Sequence, residues 1–354
     1  ELCGGIMAKI NKMQYIQGLR GYAIILIVLW HLNYIFPNCL PATGDKGVEF
    51  FFLISGFLVA NKYFKSNELN KCKKSLEYAL FKVKQIYPVY FIMMLPMILI
   101  ELNTVLKSPS GMGKLVVKIV SSSLLVQSWI PSSEYYWSLN GVTWFLSSLV
   151  FCYAASFVTL HWLKNKNGAY GILFLLMIQF VIEVCSLRYL PENLSNWILY
   201  ICPAYRFLDY SVGMCVYKLL CDTKINNERN GSNLAISIIL YILISLFGYK
   251  AIPYYTVYHI FEISVFCALV LYSGVARSYI FENKVAVAIG SISMELFLTH
   301  KVVLTYGSIV WDKVIGSKLP AIVEWAALLI LMLIVAYITD NLVARIRYAL
   351  NKCN

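Results

Sequence analysis

The 354-residue chain is short of charge: Asp, Glu, Lys and Arg make up 14% of it, against 60% hydrophobic residues and a mean hydropathy of +0.68. A soluble domain carries about 25% charged residues, so a water-soluble globule is excluded at the outset. Acids are scarcer than bases, 18 against 30, giving a net charge of +12. Such a balance fits a nucleic-acid binder only where a basic stripe is interleaved with aromatics, and none appears, so no nucleic-acid partner is expected. The ten cysteines include no CxxC and no paired pattern. They exclude a disulfide framework and a thiolate metal site, and no metal is expected. There is no G-x-S-x-G elbow. There is no internal repeat either, which weighs against the inverted-repeat transporters.

Long apolar runs are abundant. They imply an all-α, polytopic membrane protein of about ten transmembrane helices, near 21–37, 47–61, 87–106, 142–163, 169–187, 197–220, 233–250, 256–276, 285–310 and 320–343. The segment 115–130 contains Lys118 and four serines and reads as an interfacial or re-entrant piece rather than a span. With this count, Lys and Arg crowd the side shared by the N-terminus, most densely in the polar connection 62–86, so both termini are expected in the cytoplasm. Residues 1–20 then form a cytoplasmic N-terminal segment and 344–354 a cytoplasmic tail. The residues before Met7 are set aside, and the first apolar run, lacking a small-residue cleavage site, reads as retained. Tyr135, Tyr136, Trp137, Tyr254, Tyr255 and Tyr258 fall near span ends, as interfacial anchors do.

Ionisable residues inside lipid are costly and point to function. Arg20 and His31 bracket ten residues of the first apolar run. Eleven helical steps place them ~16 Å apart, close to three turns, on one face. Arg20 at the boundary suits a donor phosphate, although an arginine snorkelling to headgroups explains it equally when taken alone. His31, deeper, suits a general base for a hydroxyl or a carrier of the acyl group. Glu49 is placed to orient His31 or to end a loop. His300 suits donor binding or acceptor deprotonation, or structural pairing with Lys301 or Glu295. Arg206 and Asp209, three apart, read first as an ion pair and second as a phosphate site. Asn140 and Trp144 suit the wall of a sugar cleft or packing. Ser55 and Gly56 suit close helix approach. His161 and His259 read as residues of span ends.

Five patterns, in order from residue 17 to residue 300, together resemble the membrane acyltransferase-3 family: QGLRGYAIILIVLWH (17–31), GVEFFFLISGFLVA (47–60), KVKQIYPVYF (82–91), NGVTWFLSSLV (140–150) and AIGSISMELFLTH (288–300). RFLDYSVGMCVY (206–217) fits a sixth pattern loosely. The resemblance implies that 21–343 is an acyltransferase-3-like transmembrane domain. Such a domain moves an acyl group from acyl-CoA to a sugar hydroxyl of a cell-surface polysaccharide or its lipid-linked precursor. The group would be acetyl, with succinyl as the alternative. The implied partners are acyl-CoA, the glycan and membrane lipids, with no bound cofactor, in a bacterial inner membrane. Arg20, His31 and Glu49 would be catalytic. Lys82, Lys84, Tyr87, Asn140, Trp144, Arg206 and His300 would bind donor or acceptor. Lys82, Lys84 and Gln85 stand where the family commonly has arginines, and lysine lacks the bidentate fork for phosphate. No hydrolase-like domain follows in this sequence, so the membrane unit is expected to complete transfer alone or to hand over to another protein. The rival from another class is a transporter or flippase of a glycan or acyl donor.

Overall fold

The computed structural model describes residues 13–33, 44–66, 72–107, 111–223, 230–243, 255–275, 279–316 and 319–352. Parts of the expected first and seventh spans (34–37 and 244–250), the N-terminal residues 1–12 and Tyr254 lie outside the described residues. Among the described residues every regular element is helical. The principal helices are α1 (Gln14–Leu32), α2 (Gly44–Ser66), α3 (Cys72–Lys107), α4 (Met112–Ser123), α5 (Trp144–Leu163), α6 (Gly168–Tyr189), α7 (Pro203–Asp222), α8 (Asn230–Leu243), α9 (Tyr255–Val275), α10 (Lys284–Ser291), α11 (Ser293–Val314) and α12 (Ala321–Lys352).

Seven described helices are long and apolar enough to cross a membrane: Gln14–Leu32, Lys46–Phe64, Cys72–Leu106, Gly141–Leu163, Gly168–Tyr189, Tyr258–Val275 and Ala321–Arg345. An eighth is formed if α10 and α11, bent by 71°, count as one span. The two remaining expected spans differ for separate reasons. α7 is 20 residues long but carries Arg206, Asp209, Lys218 and Asp222, too much charge to pass as apolar. The run 233–250 is described only to Leu243. The chain is a polytopic all-α membrane protein.

Two expectations about connections change. The polar stretch 62–86 is not a long loop: α2 continues to Ser66 and α3 starts at Cys72. Lys and Glu are good helix formers, so a charged sequence that reads as solvated connection extends the helix instead. α3 has 36 residues, about 54 Å of helix, well beyond the ~30 Å hydrocarbon core. Lys73, Lys74, Lys82 and Lys84 therefore stand on a helix. The segment 115–130 begins in α4, whose 12 residues give about 18 Å, too short to cross. The chain then turns through Leu125, at φ 54°, into the irregular stretch that leads to α5.

The chain forms two compact units. The first comprises Glu1–Ala23, Asp45–Ala79 and Ser148–Ser291. α7 is its core helix, buried from Tyr205 almost to its end. Reciprocal glycines let α2 and α7 meet backbone to backbone: a Cβ on Gly56 would collide with the Tyr210 carbonyl, and one on Gly213 with the Leu53 carbonyl. The second unit comprises Ile24–Gly44, Leu80–Ser147 and Ile292–Asn354. In it, α11 packs along α12, and the Tyr306 hydroxyl donates to the Pro96 carbonyl at 2.6 Å. The irregular stretch 124–143 is held by side chains of α3. The Tyr87 and Tyr90 hydroxyls donate to the Ser123 and Ser122 carbonyls at 2.8 and 2.7 Å, and Glu101 accepts from the Leu139 backbone N–H at 3.2 Å. These bonds support Leu139 at φ 53°, a region leucine rarely adopts.

Candidate functional site

In the second unit, α1 and α11 set His31 and His300 side by side, ring centroids 4.8 Å apart and planes at 67°. Side chains on a helix lean back toward its N-terminus, so each ring reaches the carbonyl four residues earlier. His31 Nδ1 donates to the Ile27 carbonyl at 2.8 Å, and His300 Nδ1 to the Leu296 carbonyl at 3.0 Å. A carbonyl only accepts, so the hydrogen is on Nδ1 and Nε2 is left for chemistry in both rings. His31 is half-buried, whereas His300 is fully buried and its Nε2 has no hydrogen-bond partner among the described residues. Trp30 closes on His31 edge-on at 4.7 Å, and Phe297 lies 5.9 Å from His300.

Asn140 belongs to the same neighbourhood. Its Nδ2 donates to the Leu298 carbonyl on α11 at 2.9 Å, while its Oδ1 is buried without a partner among the described residues. The Thr143 hydroxyl donates to the Asn140 carbonyl at 2.7 Å and steadies the turn. Trp144 is buried, with Trp137 edge-on at 6.1 Å. On α3, Lys82 is half-buried and Lys84 exposed. The Tyr87 hydroxyl is committed to the Ser123 carbonyl, which fits a structural role better than a ligand contact.

In the first unit, Arg20 is half-buried on α1 and its Nη1 donates to Gln17 Oε1 at 3.1 Å. Glu49, expected to orient His31 or to end a loop, is buried. The His31 Nδ1 bond goes to a backbone carbonyl, and Glu49 is held within a buried charge cluster of its own unit. Arg206 Nη1 lies 3.3 Å from Glu49 and 2.7 Å from Asp209. Lys46 lies 3.5 Å from Glu49 and 2.9 Å from Glu262. His259 Nδ1 meets Glu183 at 2.6 Å, and its Nε2 lies 3.8 Å from Glu49. The Tyr205 hydroxyl donates to Glu183, and Gln179 donates to Asp209 at 2.6 Å. Arg206, fully buried between two carboxylates, fits the ion-pair reading rather than the donor-phosphate one.

Sequence reasoning missed much of this cluster. His259, expected at a span end, is fully buried, as are Glu183 and Glu262. The available signal was that Glu183 and Glu262 each stand alone in an apolar run, where a carboxylate needs a partner. Among the described residues, no group of three or more His, Cys, Asp or Glu is arranged to hold a metal ion.

Residues 13–340 match the acyltransferase-3 family, described as an acyltransferase domain, and the chain belongs to that family. It is similar to the peptidoglycan O-acetyltransferase OatA of Listeria monocytogenes, with 25% identity over 114 residues. The matched stretch is 32% of this chain and 17% of that relative, so the chain spans well under two thirds of the relative's length. No solved structure matches.

Proposed function

We propose that this protein transfers an acyl group, acetyl in the first instance, from acyl-CoA to a sugar hydroxyl of a cell-surface glycan or its lipid-linked precursor. The observation that carries the reading is His31. A half-buried imidazole on the first membrane helix has its tautomer set by the Ile27 carbonyl and its Nε2 left available. A neutral imidazole of this kind takes a hydroxyl proton near pH 7, or accepts the acyl group itself. Arg20, on the same helix, anchors a donor phosphate. Its ~16 Å offset along the helix is similar in length to an extended pantetheine arm. The basic stretch of α3, with Lys82 and Lys84, attracts the donor from the cytoplasmic side. Asn140, with its open Oδ1, and Trp144 receive the sugar. Glu49 and Arg206 hold the helices rather than the substrates. The protein sits in a bacterial inner membrane with both termini cytoplasmic. The name of the Listeria relative supports a glycan as acceptor.

The test is transfer from radiolabelled acetyl-CoA in membrane vesicles that hold endogenous glycan, wild type beside His31→Ala. Label in base-labile glycan esters is expected with wild type, with a loss of about 100-fold or more in the variant. Equal labelling by both proteins would remove His31 from the chemistry. Movement of glycan or donor across the vesicle membrane without covalent change would replace the reading with a transporter.

A further inference from the structure

The reading above uses one imidazole, and the second unit holds two. His300 is fully buried, its Nδ1 is satisfied by Leu296, and its Nε2 has no partner among the described residues. A buried polar atom without a partner is costly to keep and calls for an explanation, of which a catalytic role is one. The neighbouring Asn140, which bonds the Leu298 carbonyl on the same helix, and the Phe145–Phe297 contact at 5.0 Å fix this stretch of α11. His300 is therefore aimed rather than loose.

We propose that His300 is a second catalytic base and that transfer runs in two steps, with the acyl group carried on His31. The division rests on the acyltransferase reading and follows from a simple constraint. Once its Nε2 bears an acyl group, His31 has no lone pair left for a proton, because its Nδ1 already carries a hydrogen. A two-step reaction therefore needs a second base within reach, and a ring 4.8 Å away supplies one. In the first step, His31 Nε2 attacks the thioester carbonyl. The C–N bond forms, the C–S bond breaks, and CoA leaves as the thiolate. In the second step, the acceptor oxygen attacks the acyl carbon as its proton passes to His300 Nε2. The O–C bond forms, the C–N bond breaks, and the electron pair returns to His31. The departed CoA thiolate takes its proton from water, and the proton on His300 returns to water. The sum is acyl-CoA plus alcohol giving ester plus CoA thiol, with both rings restored.

Purified full-length protein in nanodiscs, given [14C]acetyl-CoA without acceptor, separates the steps. Wild type is expected to release about one CoA per protein in a burst and to hold hydroxylamine-labile label on the peptide containing His31. His300→Asn retains an N–H donor for the Leu296 carbonyl but lacks the second nitrogen. It is expected to acquire label as well, while transfer to glycan in vesicles falls about 100-fold or more. His31→Gln is expected to show neither. A His300→Asn protein with wild-type melting temperature that transfers normally, or that fails to acquire label, overturns the proposal. So does a wild type that transfers without burst or label; that result leaves the acyltransferase reading standing with direct transfer. A wild type that neither labels nor transfers removes the parent reading, and this proposal with it.

Discussion

Replacing Arg206 with Gln tests whether the buried cluster in the first unit is a charge-balanced device. Four carboxylates (Glu49, Glu183, Asp209, Glu262) face two permanent cations (Lys46, Arg206) and the imidazole of His259, all buried. Removing Arg206 takes the shared partner from Glu49 at 3.3 Å and Asp209 at 2.7 Å. Breaking a buried pair in this way costs about 3–5 kcal/mol, mostly from the charge left uncompensated. At about 2 °C per kcal/mol for a large domain, the melting temperature should fall by roughly 6–10 °C. Glu183→Gln removes one of the surplus carboxylates instead and should cost less than half as much. The assay is thermal unfolding in detergent followed with a thiol-reactive fluorophore, because Cys152, Cys215 and Cys267 are buried until the fold opens. If Arg206→Gln melts within 2 °C of wild type, or Glu183→Gln is the more damaging of the two, the charge-balance reasoning is wrong.

Three further outcomes are expected. Arg20→Ala should raise the KM for acyl-CoA about tenfold with a smaller change in kcat, and Arg20→Lys should recover part of the loss because charge survives without the planar fork; steady-state kinetics decides, and an unchanged KM would detach Arg20 from the donor. Gly56→Ala should lower the melting temperature and the yield of folded protein, because its Cβ meets the Tyr210 carbonyl with no flexible side chain to yield; a wild-type melting curve would contradict the backbone contact. Asn140→Ala leaves the Leu298 carbonyl without its 2.9 Å donor and should cost about 1–3 kcal/mol, with kcat falling as His300 loses its support; full activity together with reduced stability would confine Asn140 to packing.

Much of the fold is legible in the sequence. Arg20 and His31 lie within one helix, and the spacing that relates them is local. Apolar runs report burial in lipid directly, so most helices were visible. The partnership of His31 with His300 was not, because the two histidines come from opposite ends of the chain and only tertiary packing unites them. The break between α10 and α11 falls in GSISM, where small residues and serines stand amid an apolar run; hydropathy averages across it. His259 does stand at the start of a span, Tyr258–Val275, but its burial among carboxylates is not legible, because preceding tyrosines are shared by interfacial anchors and by ordinary helix surfaces. Lys46 stands one turn from Glu49 on α2, but the other partners of Glu49, Arg206 and His259, come from α7 and α9, which no linear pattern relates to it.

The charge cluster also bears on how the chain enters the bilayer. α2, α6, α7 and α9 each bring at least one ionisable side chain that is later buried among the others. Taken singly, an Asp, Lys or Arg at the middle of an inserting helix costs about 2.5–3.5 kcal/mol. Arg206 and Asp209 relieve each other within one helix, but Glu49, Glu183 and Glu262 have no such neighbour of opposite charge except Lys46, one turn from Glu49. Those helices are poor candidates for independent partitioning during synthesis. They should leave the translocon as a group, once α9 has emerged to supply His259 and Glu262. Ribosome-bound chains arrested before α9 should remain crosslinkable to the insertion machinery, and chains arrested after it should not; release at the earlier length would mean that α2, α6 and α7 settle in lipid without it.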